Sequence, residues 1–179
     1  EAMRLAGHNW DVLELPSFTA VPAGGATADQ ASSAGFRSFG NGFLRKDEGI
    51  VSHVRSDTLD LLHKSSDTYE IIQNSVAYDV AELLFEQGFQ YETGITLDGG
   101  KLCALTLKLD EPITLPGDDS EVLPFGCLSW SHDGSAALRV RSGAIRQVCA
   151  NTVSAYEAEG ERLGTAFTFR HTNNVHARI

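Results

Sequence analysis

The sequence predicts an α+β fold, an antiparallel sheet built of β-hairpins with two main helices packed on one face. Two turns carry this prediction: Asp98-Gly99-Gly100 separates segments 91–97 and 101–107, and His132-Asp133-Gly134 separates 125–131 and 135–141. Asp-Gly pairs supply the positive φ angles that tight hairpin turns require. Helices that are segregated from antiparallel hairpins define the α+β class.

Three further segments precede these hairpins. Segment 10–15 predicts a first strand, and segments 51–55 and 58–64 flank a Ser56-Asp57 turn as a short hairpin. Segment 22–42 is rich in Gly, Ala and Ser without a sustained period. That composition predicts a flexible loop between the first strand and the rest of the domain.

The first main helix is expected to begin at Asn74, whose side chain can accept a hydrogen bond from an amide of the first turn. Gly88 suits the left-handed position that closes a helix. Apolar residues at helical spacing lie between these ends: Val76, Val80, Leu83 and Leu84.

The second main helix has the strongest apolar period in the chain. Six residues form its predicted buried face: Ile145, Val148, Cys149, Thr152, Val153 and Tyr156. Gly160 ends this helix, and segment 165–170 reads as a final strand. The 179 residues are expected to form a single domain, the N-terminal part of a longer chain.

Composition excludes several classes of protein. No apolar run approaches the ~18 residues of a membrane span, so no membrane association is predicted. Three widely spaced cysteines favour a reducing compartment, such as the cytoplasm, over a disulfide scaffold or a zinc site. The chain has neither a GxxxxGK[ST] nor a GxGxxG motif, and no cofactor is predicted.

The charge is distributed unevenly along the chain. The net charge is −10, but residues 1–134 hold 8 Lys and Arg against 21 Asp and Glu. Residues 135–179 hold 6 cations against 3 acidic residues, and all six cations are Arg. Arg presents a planar fork of donors that suits phosphate and stacks on bases. The C-terminal part is therefore either a binding surface or a patch that balances the acidic remainder.

Three of these arginines are predicted to form an anion site. Arg139 and Arg141 are two apart in a predicted strand and so share a face. Arg146 follows in the first turn of the next helix, where the helix dipole disfavours a cation unless an anion is near. The alternative is that the three arginines pair with carboxylates of the acidic part of the chain.

Other clusters predict no catalytic or metal-binding residue. The run Ser131-His132-Asp133-Gly134-Ser135 lies within one turn, whereas a catalytic triad assembles from distant segments. Asp118, Asp119 and Glu121 could bind a divalent cation, but they follow Pro116-Gly117, and a solvated loop between two strands is the simpler explanation.

Six motifs, in this order along the chain, carry a family resemblance: Asn9-Trp10-Asp11-Val12, Tyr69-Glu70-Ile71-Ile72-Gln73-Asn74, Ser131-His132-Asp133-Gly134-Ser135, Arg139-Val140-Arg141, Val148-Cys149-Ala150-Asn151-Thr152 and the segment 170–179. They resemble the phage/plasmid-like protein family, a domain of unknown function widespread in actinobacterial phages. The resemblance implies a mobile-element protein and carries no established activity. Four further residues are predicted to bind nucleic acid: Asn151, Arg170, His171 and Arg178.

The order of antiparallel sheet and following helix is also similar to phage single-strand annealing proteins of the RecT and Red-beta type. This analogy implies a protein that binds single-stranded DNA, assembles into rings or filaments, and acts in recombination or replication. The sequence thus favours a binding module over an enzyme. Two alternatives stay open: a metal-dependent nucleic-acid enzyme, and a structural or host-interaction protein of a mobile element.

Overall fold

The computed structural model describes residues 1–22, 24, 27–114, 121–143 and 166–169. These ranges contain three α-helices: α1 (Ala2–Leu5), α2 (Ala28–Ser33) and α3 (Asn74–Phe85). None of the helices in these ranges has the length and apolar character needed to span a membrane. Among the described residues all strand pairing is antiparallel, in two larger sheets and one two-stranded sheet, which confirms the predicted α+β class.

The first sheet is built around one long strand. It contains β1 (Val12–Pro22), β2 (Arg37–Phe39), β3 (Gly42–Arg55) and β4 (Leu61–Ser66). Strand β1 pairs with β3 on one edge, while β2 and β4 pair with opposite ends of its other edge. The predicted first strand and the β3–β4 hairpin are confirmed, although β1 extends seven residues further than the sequence indicates.

The second sheet has five strands in the order β11-β10-β9-β6-β5. They are β5 (Phe89–Leu97), β6 (Leu102–Leu109), β9 (Phe125–Ser131), β10 (Leu138–Gly143) and β11 (Ala166–Phe169), with β7 (Ile113–Thr114) and β8 (Glu121–Val122) pairing between β6 and β9. Both predicted Asp-Gly hairpins and the predicted final strand are confirmed. The turns use the expected glycines, since φ is +67° at Gly99 and +76° at Gly134.

Segment 22–42 contains regular structure that its composition did not predict. Helix α2 begins with a capping box, in which the Thr27 hydroxyl accepts from the Gln30 amide and the Gln30 side chain accepts from the Thr27 amide. This reciprocal bonding satisfies two amides at the helix start. Strand β2 follows and pairs with the first residues of β3, so the segment holds a helix and a strand rather than only a loop.

Helix α3 packs on the second sheet and forms the main hydrophobic core with it. The four apolar residues at helical spacing differ in burial: Val80 is buried, Val76 and Leu84 are half-buried against the core, and Leu83 is exposed. Gly88 has a φ of +89° in the turn after the helix, as predicted. The second predicted helix, 145–156, lies outside the described residues, so α3 is the one main helix described on this sheet.

Asn74 was expected to cap α3, and that prediction is wrong. Gln73 occupies the N-cap position, and its side chain instead pairs with Val12, accepting from the backbone N–H and donating to the carbonyl. The Asn74 side chain is fully buried, and its Nδ2 donates to the carbonyls of His8 and Trp10 at 3.0 and 2.9 Å. Tertiary contacts outweigh the local preference here because a buried amide must find partners for its donors and acceptor.

The Asn74 amide joins distant parts of the chain. Its Oδ1 accepts from Trp130 Nε1 at 2.9 Å and from His132 Nε2 at 2.8 Å, so the turn after β9 is bound to the start of α3. His8 extends the network, because its ring nitrogens contact Tyr78 Oη and the Ile95 carbonyl, each at 3.0 Å. A carbonyl only accepts, so His8 Nε2 carries the proton, and burial lowers the pKa of His8 and keeps it neutral.

Candidate nucleic-acid interface

Two of the seven residues predicted to bind nucleic acid lie in the described part of the chain, Arg139 and Arg141 of β10. The other five lie outside the described residues: Arg146, Asn151, Arg170, His171 and Arg178. The predicted anion site at a strand–helix junction therefore stays a prediction, with only its strand described.

Arg139 and Arg141 share one face of β10, as their spacing predicts. They lie opposite Ser129 and Cys127 of β9, on the face of the second sheet away from α3. Arg141 is only 3% exposed, whereas Arg139 is half-buried. Arg139 is consequently the more accessible of the two, and replacing Arg141 would disturb packing as well as charge.

The carboxylate and thiol candidates give no site in the described residues. Asp118 and Asp119 lie outside them, and no group of three His, Cys, Asp or Glu side chains within the described ranges could hold a metal ion. Cys103 and Cys127 are buried thiols. Burial raises the pKa of Cys103 to about 12, which disfavours the thiolate that a nucleophile requires.

A different surface combines cations with exposed aromatic rings. A cleft of about 610 Å³ opens on the first sheet, a volume typical of small-molecule or fragment-sized sites. Strands β1, β2 and β3 form it. Its charged and aromatic lining residues are Phe18, Arg37, Phe39, Arg45, Lys46 and Glu48.

Strand register places four of these side chains on one face of the sheet. Phe18 of β1 lies directly opposite Lys46 of β3. Two residues along β3, Leu44 lies opposite Arg37 of β2, and Phe39 follows Arg37 by two. Residues that are paired or two apart along antiparallel strands share a face, so the two phenylalanines and two cations project from the same surface.

Both phenylalanine rings are open to solvent. Phe18 is 50% exposed and Phe39 is 68% exposed. Single exposed apolar residues are common on protein surfaces, but two rings on one sheet face with cations beside them form a patch rather than scattered exposure. Such a face is suited to stacking flat rings of a ligand.

The Arg45 side chain also lines the cleft, although strand alternation places its Cα–Cβ bond on the opposite face of β3 from Lys46. Its guanidinium lies 4.8 Å from the centroid of the Phe36 ring and donates to the Ala34 carbonyl at 3.4 Å. A cation that is already stacked loses less side-chain freedom when it binds an anion. Arg45, Arg37 and Lys46 are three of the 8 cations in residues 1–134.

Of two neighbouring carboxylates in β3, Glu48 lines the cleft. Asp47 alternates to the opposite face of the strand, where it accepts hydrogen bonds from Thr19 and Ser17 at 2.7 and 3.0 Å, and these bonds lower the pKa of Asp47. The cleft thus combines three cations with one lining carboxylate, a local excess of positive charge in an acidic part of the chain.

The arrangement can hold a ligand that is both flat and anionic. The rings offer stacking surfaces, and Arg37 and Lys46 offer charge-assisted hydrogen bonds to phosphate oxygens. A nucleic-acid strand with unstacked bases supplies both features at a regular repeat. A duplex hides its bases in the stack and offers the cleft only its phosphates.

Sequence reasoning missed this surface, although part of its signal is visible. Segment 36–46 reads FRSFGNGFLRK, in which aromatic residues alternate with Arg and Lys. Basic residues interleaved with aromatic ones are typical of single-strand binding surfaces. The abundance of Gly, Ala and Ser around this segment favoured a loop assignment, and the contribution of Phe18 depends on a register that the sequence does not reveal.

Fold and cleft together define an α+β protein whose first antiparallel sheet presents a cationic, aromatic face. A family model described as a domain of unknown function, DUF932, matches residues 61–179, and the chain belongs to that family. The match covers β4 and everything after it, while the cleft residues lie before residue 61. No curated protein and no solved structure matches the chain.

Proposed function

We propose that this protein binds single-stranded DNA through the cleft of the first sheet. The observation that carries the proposal is the joint placement of exposed Phe18 and Phe39 with Arg37 and Lys46 on one sheet face. Aromatic stacking together with cationic contacts to the backbone is how proteins bind single strands without reading their sequence. Arg139 of β10 is a second contact candidate on the other sheet.

From the family resemblance and the similarity to annealing proteins, we further propose that this is a phage or plasmid protein. It would act in recombination or replication in the cytoplasm of the host cell. Copies of the chain act side by side on one strand as a homo-oligomer, a ring or a filament. A net charge of −10 weakens each single contact with DNA by repulsion, so useful affinity requires several linked contacts.

Salt dependence of binding tests the proposal. The affinity of the protein for a single-stranded oligonucleotide is expected to fall as salt rises from about 20 to 200 mM, with a log–log slope of roughly −0.7 per phosphate contact. Substituting Arg37→Ala and Lys46→Ala together removes two contacts. The slope of this double variant is expected to be shallower by about 1.4. Fluorescence anisotropy of a labelled oligonucleotide measures both slopes.

Lys101→Ala is the matched control, since it removes a cation between β5 and β6 on the other sheet. Its slope should equal that of the parent. Glu48→Gln gives a test of opposite sign, because removing the lining carboxylate should strengthen binding. The proposal is wrong if the parent fails to bind at low salt, or if the double variant keeps the parental slope.

A further inference from the structure

Each exposed ring of the cleft has its own cation. Lys46 lies directly opposite Phe18, and Arg37 precedes Phe39 by two residues on the same face. A ring with an adjacent cation matches the chemistry of one nucleotide, whose base stacks and whose phosphate accepts hydrogen bonds. The cleft therefore contains two similar ring–cation pairs, Phe18 with Lys46 and Phe39 with Arg37.

The strand register fixes how far apart the two pairs lie. Phe18 is two strands away from Phe39 across the sheet, and the β3 residues opposite them, Lys46 and Gly42, are four positions apart. With strand spacings of about 4.8 Å and a rise of about 3.4 Å per residue, the diagonal separation is about 17 Å. A stacked single strand covers this distance in about five steps of 3.4 Å, which join about six nucleotides, and an extended strand needs fewer.

Ala20 and Leu44 occupy the sheet face between the two pairs. These side chains are uncharged and offer no hydrogen bond to a phosphate. A bound strand would therefore make its stronger contacts at the two ring–cation pairs and weaker contacts between them. This arrangement differs from a uniformly basic groove, in which each added nucleotide adds the same increment of affinity.

We infer, building on the proposed function, that the cleft binds one segment of at most about six nucleotides through its two ends. One base stacks on Phe18 with a phosphate on Lys46, and a second base stacks on Phe39 with a phosphate on Arg37. The bases between them are not held individually. The site consequently accepts any base sequence and requires a minimum length that reaches both pairs.

A length series tests the inference. The affinities of the full chain for labelled oligothymidylates of two to twelve nucleotides are measured by anisotropy at low salt and low protein concentration. We expect a steep gain until the oligonucleotide reaches both pairs, followed by a plateau beyond about six nucleotides apart from the statistical gain of extra registers. Phe39→Ala should weaken binding of the six-nucleotide probe about 5- to 150-fold and abolish the steep gain.

Two controls separate loss of a ring from loss of fold. Phe39→Trp keeps a stacking surface and should retain the length dependence, while Leu83→Ala removes an exposed apolar side chain of α3 and should change nothing. Affinity that rises evenly through twelve nucleotides overturns the two-ended site but leaves the proposed function intact. Absence of binding at every length overturns both.

Discussion

Replacing Asn74 by alanine is expected to lower the free energy of unfolding by about 3 kcal/mol or more. The side chain makes four buried hydrogen bonds, donating to two carbonyls and accepting from Trp130 and His132. The substitution leaves these partners buried without their bonds, and each unsatisfied group costs about 1–3 kcal/mol. Urea unfolding followed by tryptophan fluorescence measures the loss.

Gln87→Ala provides the comparison for this prediction, because it removes an exposed amide just after the same helix. Its effect should stay within about 0.5 kcal/mol. A loss of less than about 1 kcal/mol for Asn74→Ala would contradict the role assigned to the network, since water would then have to replace the lost bonds.

Removing both rings of the cleft, as Phe18→Ala with Phe39→Ala, is expected to eliminate measurable binding of single-stranded DNA. Stacking contributes about 1–3 kcal/mol per base, so the two truncations together remove about 2–6 kcal/mol. Both rings are largely exposed, and the melting temperature should therefore change little. Anisotropy titrations of the variant and the parent, with melting curves of both, make the measurement.

The reciprocal variant, Phe18→Trp with Phe39→Trp, keeps two aromatic surfaces and should bind at least as well as the parent. Preference for single strands should also depend on the rings, because only unstacked bases reach them. Full binding by the doubly truncated variant, with an unchanged fold, would show that the rings have no part in recognition.

Turns were the most predictable part of the fold. The Asp-Gly turns at 98–100 and 132–134 are confirmed because a positive φ is a local requirement that few residues other than glycine meet. Helix α3 was also predicted from its apolar period, although its first residue was assigned the wrong role. The Asn74 side chain accepts hydrogen bonds from Trp130 and His132, which lie more than fifty positions away in the chain. A local sequence pattern cannot predict partners at that distance.

The arginine pair shows where strand patterns stop being informative. The spacing of Arg139 and Arg141 correctly predicts a shared face. Alternation of apolar and polar residues reveals the buried face of a sheet when its other face meets solvent. Here it does not, because every residue of the neighbouring strand β9 is buried. Arg141 is buried because it lies beside β9, a strand that is buried on both of its faces. The sequence of β10 alone does not reveal this burial.

The cleft could not be predicted from the sequence because long-range strand pairing assembles it. Phe18 is separated from Lys46 by 28 positions in the chain, and only the pairing of β1 with β3 brings them together. The capping box of Thr27 and Gln30 was a readable local signal for regular structure within 22–42. Reading it would have predicted α2, but the register that assembles the cleft depends on long-range pairing.

The central claim, that the first sheet is the single-strand interface, is tested most directly by photocrosslinking. An iodouracil-substituted single strand is irradiated with the full chain, and the modified residues are located by mass spectrometry. We expect adducts at Phe18 and Phe39, the exposed rings of the cleft. Unlabelled single strands should compete with the substituted strand and reduce the yield of these adducts. Adducts confined to other parts of the chain, such as the neighbourhood of Arg139, would contradict it.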